Sequence, residues 1–342
     1  MTSPRIIAGK ATIGLAGDVM LGRGVAESIQ RSGPAHPWGN LLPRLWELDL
    51  FLVNLECALT CETREWGIKP FHFRADPTMV ETLRLGRVDF AGVANNHIGD
   101  FGEEGLLETI RTLDRAGIAH AGAGPTLEAA RVPARLHAKR WRISVLAVAD
   151  YPAEWAAGPD RPGMNYLPIS LDPRQVGEVE TAVRMARQDA DLVVVCIHWG
   201  PNMRPRPTAE FRAFARRISD AGADIFWGHS AHVVQGVEVR EGRLILFDTG
   251  DFVDDYAVDA SLRNDLSALF VVRLGVSGIE GLDLVPVRIG RCQVSLAEGR
   301  DRSWILERIA ALSRELGTTL APSEPGLSLS VGEAGSRQEV SP

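Results

Sequence analysis

Five short polar clusters stand out in this sequence of 342 residues, each at or just after the end of a predicted apolar strand. They are Gly17-Asp18-Val19-Met20-Leu21-Gly22-Arg23-Gly24, Asn54-Leu55-Glu56, Asn95-Asn96-His97-Ile98-Gly99-Asp100, His198-Trp199-Gly200 and Gly228-His229-Ser230-Ala231-His232. In α/β sheets, ligand sites gather beyond the carboxyl ends of the strands. Taken singly, several have plain readings. Gly17-Asp18 also suits an ordinary turn, and a lone His198 closing an apolar strand also suits a satisfied core histidine. The amides and imidazole at 95–97 are harder to place in a core, where each polar group needs partners. His229 and His232 lie three apart beside a glycine, and neutral imidazole is the commonest metal ligand. Together the set offers carboxylates, an amide and three imidazoles. That mixed nitrogen and oxygen inventory suits one or two borderline divalent ions such as Mn²⁺, Zn²⁺ or Fe²⁺, and it excludes a thiolate site.

Such residues need a rigid frame. Short aliphatic runs predict strands at Ile13–Ala16, Leu50–Leu55, Val88–Val93, Ile143–Ala149, Leu192–Ile197 and Ile225–Trp227, and later at Leu244–Phe247, Leu269–Leu274 and Leu282–Ile289. Continuous runs such as Leu-Val-Val-Val-Cys-Ile indicate strands buried on both faces. Apolar residues at helical spacing predict helices over Glu103–Ala116, Val176–Ala190 and Thr208–Ala221. The expectation is an α/β domain with sheets in the middle and helices outside. From Ala321 to Pro342 the composition turns to Ser, Gly, Pro and Glu, which predicts a disordered tail.

With 37 basic and 44 acidic residues the formal charge is −7, which argues against a general nucleic-acid binder. Four scattered cysteines (57, 61, 196 and 292) predict reduced thiols. The N-terminus has no stretch resembling a signal peptide, and nowhere does an apolar run reach membrane-spanning length. The expectation is a cytoplasmic protein without a membrane partner.

These clusters resemble the successive motifs of the CapA family, the capsule or poly-γ-glutamate synthesis proteins within the calcineurin-like metallophosphoesterase superfamily. Phe71-His72-Phe73-Arg74, Gly222-Ala223-Asp224, Gln235-Gly236-Val237-Glu238 and Gly250-Asp251-Phe252-Val253 add to the match, which spans about residues 12–256 in the expected order. The resemblance implies a four-layer αββα sandwich, here one domain over residues 1–320. By that likeness Glu56 would bridge two metal positions, Asp18 and His232 would complete one, and Asn96, His198 and His229 the other. His97 would be the acid/base group, with Asp100 as its catalytic companion. Met20 stands where the superfamily usually has a histidine ligand, and a thioether suits a hard ion poorly. Asp251 stands where Asn is usual, and Asn202 where the family often has Glu.

The first function this implies is a metal-dependent hydrolase, most simply of a phosphoester, using a metal-activated water and His97 as proton donor. Arg23 and Arg74 would hold the anionic group, since a guanidinium grips phosphate or carboxylate bidentately. Asn54, His72 and Asp251 are the other candidates for the substrate side. The family's link to amino-acid polymers and peptides opens a second reading, a peptide epimerase of natural-product biosynthesis, with His97 and one of Asp100, Asp251 or His72 as the acid/base pair. The third is a non-catalytic subunit of polyglutamate or capsule synthesis. The substrate is accordingly a small molecule, a peptide or polyglutamate.

Overall fold

A computed structural model describes residues 10–331. The apolar runs become strands of two large sheets. Ala11–Val19, Leu50–Leu55, Phe90–Gly92 and Ala119–Ala121 lie side by side and parallel. Leu266–Leu274 and Ile279–Gly290 extend that sheet, antiparallel, on the other side of Ala11–Val19, and it reaches ten strands. The second sheet has six strands in the order Val237–Arg240, Arg243–Leu246, Ile225–His229, Leu192–His198, Trp141–Ala149, Ala134–Ala138. Its four inner strands are parallel.

Strands that are apolar on both faces need cover on both, and the packing supplies it. In Leu192–His198, Val194 and Cys196 join the core shared with the larger sheet. Val193, Val195 and Ile197 lie under the helices Pro173–Asp189 and Ala209–Asp220. The sheets approach closely: a Cβ on Gly92 would come within 2.9 Å of Cys196 Sγ. Helices Val80–Leu85 and Gly102–Ala116 bring Leu83, Leu106 and Leu113 to the larger sheet, where Trp38 also packs edge-on to Phe51. This is the four-layer αββα sandwich that the resemblance implies.

Two of the three predicted helices start where side chains cap them. Asp172 accepts from Arg174 N with Pro173 in the first turn, and Thr208 accepts from Phe211 N. Helix Gly299–Glu315, which touches both sheets, was not expected.

The disordered tail needs correction. Ala321–Pro322 and Leu327–Ser330 form an antiparallel pair, and the second strand adds to the edge of Ile279–Gly290 with Leu327 opposite Leu284 and Leu329 opposite Leu282. The Ser-rich composition hides an alternation in which Leu327 and Val331 are buried and Ser328 donates to Asp283. Residues 332–342, the rest of that segment, lie outside the described residues. No helix among the described residues is long and apolar enough to cross a membrane.

Candidate metal centre

The carboxyl ends of parallel strands from both sheets meet at one edge. Ala11–Val19 delivers Asp18, Leu50–Leu55 delivers Asn54 and then Glu56, and the turn after Phe90–Gly92 delivers Asn95, Asn96 and His97. From the other sheet, His198 and His229 end adjacent strands in register. Glycine is required at position 17, where a Cβ would sit 1.6 Å from the Gly250 carbonyl oxygen. That close approach lets Asp18 N donate to Gly250 O and sets Asp251 in register beside Asp18. Ser230 (φ 113°) and His232 (φ 58°) hold left-handed conformations that such residues rarely adopt. Asp248 steadies this turn. One of its oxygens accepts from Ala231 N and the other from Gly250 N, both at 2.8 Å, so it ties together the loops carrying His232 and Asp251.

The donor atoms form two groups that share Asp18. Asp18 Oδ1 lies 3.4 Å from His229 Nδ1 and 3.9 Å from His198 Nδ1. Asp18 Oδ2 faces His232 Nδ1 at 3.6 Å, and that nitrogen is 2.7 Å from Asp251 Oδ1. Glu56 Oε1 stands 3.8 Å from His198 Nε2 and 4.0 Å from His97 Nε2. One atom from each of Asp18, His198 and His229 falls within 4.8 Å of the others, as does one from each of Asp18, Glu56, His232 and Asp251. The resemblance assigns Asp18 to the His232 position alone, whereas here its two oxygens face both groups.

Asp18 Oδ2, Glu56 Oε1, Asn96 Oδ1, His198 Nε2 and Asp251 Oδ2 are buried without a hydrogen-bond partner. Each orphaned group of this kind costs about 1–3 kcal/mol. A divalent cation would satisfy them, and the nitrogen and oxygen donors suit a borderline ion. The residues present therefore fit the metal that the resemblance implies. Met20 does not contribute, because its sulfur accepts from Gly22 N at 3.0 Å.

The electrostatics are those of carboxylates crowded away from water. Burial, then the neighbouring Glu56, holds the Asp18 carboxyl well above its ordinary value. Burial pushes Asp251 up to about 6 against the pull of His232, and pushes Asp248 up to about 7. Burial lowers His198, and it pushes His229 down to about 3. For His232 burial also acts downward, but Asp251, Glu56 and Asp18 outweigh it and hold the imidazole well above its ordinary value.

Beside this group, His97 is fixed on every side but one. Its Nδ1 lies 2.7 Å from Asp100 Oδ2, its backbone N donates to Asn95 Oδ1, and the Phe73 ring stacks on it at 3.9 Å between centroids. Asp100 is fixed in turn by Phe73 N at 2.6 Å and by Lys69 Nζ at 2.6 Å. Lys69 also donates to the Asn96 carbonyl at 2.6 Å. Nε2 of His97 is left facing Glu56.

Several residues expected on the substrate side sit elsewhere. Asn54 has no exposed surface: its Nδ2 donates to Asp18 Oδ1 at 2.7 Å and its Oδ1 accepts from Asn95, so it orients a candidate ligand. Asp251 is fully buried among the candidate ligands and does not line the mouth. His72 is held by the Trp66 carbonyl and lies near Glu65. Arg23 is paired with Asp255 at 3.2 Å and lies over Phe71 and Phe73. Arg74, over the Phe101 ring, keeps an exposed side chain. Sequence reasoning missed Lys69, Asp248 and Tyr256, whose hydroxyl donates to Glu56 Oε2 at 2.9 Å. Each lies in an irregular segment with no periodicity to mark it. All four cysteines are free, and Cys196 Sγ lies 3.2 Å from His229 Nε2.

A family model of the bacterial capsule synthesis protein PGA_cap matches residues 12–256. The chain is 33% identical over 352 aligned residues to a probable polyglutamine synthesis accessory protein of Mycobacterium tuberculosis, covering 90% of this chain and 92% of that one. It is 30% identical to the capsule biosynthesis protein CapA of Bacillus anthracis over 82% of this chain and 68% of that one. To the PGA biosynthesis protein CapA of Bacillus subtilis it is 28% identical over 80% and 70%. On this match, the chain belongs to the bacterial capsule synthesis protein PGA_cap family.

Proposed function

We propose that this protein is a metal-dependent hydrolase that cleaves a phosphoester or a related bond in an anionic substrate. The observation that carries the reading is the set of buried, unpartnered donor atoms of Asp18, Glu56, Asn96, His198 and Asp251 at neighbouring strand ends. Asp18, Glu56, Asn96, His198, His229 and His232 would hold one or two divalent ions, Mn²⁺, Zn²⁺ or Fe²⁺. Bound there, such ions supply a nucleophilic water at neutral pH and offset charge on attacking and leaving oxygens. The protein's own part is positional. Asp100 fixes His97 through Nδ1, so Nε2 is the atom that hands a proton to the leaving group. Stacked Phe73 keeps that ring from turning. Tyr256 holds one oxygen of Glu56 and leaves the other for a cation. Arg74, whose exposed side chain lies over the Phe101 ring, would meet substrate charge. The relatives' names, polyglutamine synthesis accessory protein and PGA biosynthesis protein, support a glutamyl polymer or peptide as the substrate, in which the related bond cleaved would be an amide.

The test pairs metal analysis with a screen of phosphoesters and glutamyl peptides. His97→Ala is expected to keep the metal and lose about 10²–10⁴ in rate. A variant within a few-fold of wild type removes His97 from the mechanism.

One observation favours epimerisation as a second reading. Two histidine–carboxylate pairs, the buried His97 with Asp100 and the partly buried His232 with Asp251, each at 2.7 Å, border the same group. Peptide incubated in D₂O separates the readings: deuterium at an α-carbon with the peptide intact means epimerisation, and a cleaved product without exchange means hydrolysis. Neither outcome, with metal bound, leaves the accessory role named for the mycobacterial relative.

A further inference from the structure

The two donor groups that share Asp18 differ in chemistry. One contains the carboxylates of Asp18, Glu56 and Asp251 with a single imidazole, His232. The other contains Asp18 with two imidazoles, His198 and His229. Asp251 starts a short strand that pairs in parallel with Ala11–Val19, in register with Asp18, and it has no exposed surface. One of its oxygens meets His232; the other, Oδ2, is buried and has no partner. Asp18 Oδ2 and Glu56 Oε1, in the same group, are equally unpartnered. Cations in reach are scarce. Lys69 is committed to Asp100 and Asn96, and Arg23 to Asp255. Three buried carboxylates sharing one imidazole leave uncompensated negative charge, and such charge is tolerated when a metal is coordinated.

We propose that Asp251 is itself a metal ligand, and that it makes one position of the centre oxygen-rich and Mn²⁺-accepting beside a nitrogen-rich position that takes Zn²⁺ or Fe²⁺. The inference rests on the metal-centre reading above and deepens it. Carboxylate oxygens suit hard ions such as Mn²⁺, and imidazoles suit Zn²⁺ and Fe²⁺. Raw affinity favours Zn²⁺ over Mn²⁺ at either position, so the difference lies in how far each discriminates against the harder ion. Asp18 joins the two positions through its separate oxygens, Oδ1 toward His229 and Oδ2 toward His232. Met20 leaves room for this arrangement, because its sulfur is turned to Gly22 N and adds no donor.

The experiment uses the full chain, stripped of metal by chelation. It is loaded with one equivalent of Zn²⁺, then titrated with Mn²⁺ while free Mn²⁺ is followed by its EPR signal. Bound metal is counted by elemental analysis after dialysis. Wild type is expected to hold one Zn²⁺ and one Mn²⁺ per chain. Asp251→Asn, which keeps the shape and one acceptor oxygen, is expected to keep the Zn²⁺ and bind Mn²⁺ at least tenfold more weakly. Asp251→Ser is expected to behave alike, and the far-UV spectra and unfolding midpoints of both metal-free variants check that they fold. Wild-type Mn²⁺ affinity in both folded variants overturns the role of Asp251 and leaves the wider metal reading standing. Failure of wild type to bind either ion overturns both.

Discussion

Asn54 Nδ2 donates to Asp18 Oδ1 at 2.7 Å, and both side chains are buried. The amide's other end accepts from Asn95 Nδ2, so a chain of two amides aims the carboxylate that faces both donor groups. Partners that orient metal ligands typically account for 10–100-fold in metal affinity. Asn54→Ala is therefore expected to weaken metal binding by about that factor while the chain still folds. Competition against a chelator of known affinity checks it, and unchanged affinity would show that Asp18 needs no such support.

Lys69 and Asp100 form the next testable pair. Asp100 is fully buried, and Lys69 Nζ approaches one of its oxygens at 2.6 Å. Breaking a buried ion pair from one side costs about 3–5 kcal/mol, with Lys69→Met at the low end because its side chain is 20% exposed. The double variant Lys69→Met with Asp100→Asn removes both charges and should recover part of that loss. Urea midpoints of the three variants measure the coupling, and simple additivity would contradict it.

The added edge at the chain's end makes its own prediction. Leu327–Ser330 pairs with Ile279–Gly290, and Leu327 and Val331 are buried. A chain ending at Leu320 would bare that edge and its apolar cover, which invites edge-to-edge association. The expectation is a lower melting temperature and a shift to larger species by light scattering. A truncated chain as stable and monodisperse as the full one would mean that the pairing adds nothing.

Away from the site, Arg142 grips Asp191 through Nε at 3.1 Å and Nη2 at 2.9 Å, and its backbone N donates as well. Those bonds, the side-chain ones foremost, hold the Asp191 carboxyl down at about 2 against an ordinary 3.8. A depressed carboxyl contributes stability above its unfolded value and loses it as pH falls through the folded one. The gap in urea midpoint between wild type and Asp191→Asn should be fullest above about pH 4 and shrink toward pH 2. The pair is exposed, so the gap is small even at its widest. A gap independent of pH would mean that the carboxylate's charge is not its source.

Much of this architecture was legible beforehand, for a physical reason. Leu192–Ile197 is apolar at every position because it is buried from both sides, so composition alone marks it as a central strand. The strand ends then carry Asp18, Glu56, His198 and His229 to one edge. What escaped notice lacked a period to read. Lys69 reaches Asp100 from an irregular stretch, and Tyr256 meets Glu56 across 200 residues of sequence. The sequence places Asn54 at a strand end beside Glu56, which fits a substrate contact as well as a ligand's support. Only the register of two neighbouring strands of one sheet, which sets Asn54 opposite Asp18, reveals that its amide is spent on Asp18. Near the C-terminus, Ser328 and Ser330 alternating with Leu327, Leu329 and Val331 make a strand look like a tail.

The donor groups are assembled from both sheets, with Asp18, Glu56 and Asp251 on one side and His198 and His229 on the other. Neither half can offer this donor set until the two have docked, so ion uptake would follow docking. Once seated, an ion would act as a rivet. It binds only the closed sandwich, and at a hundredfold excess over its dissociation constant it adds about 2.7 kcal/mol against the sheets parting. Dialysis against a chelator would then lower the temperature at which the layers separate, even for a chain whose every hydrogen bond is intact.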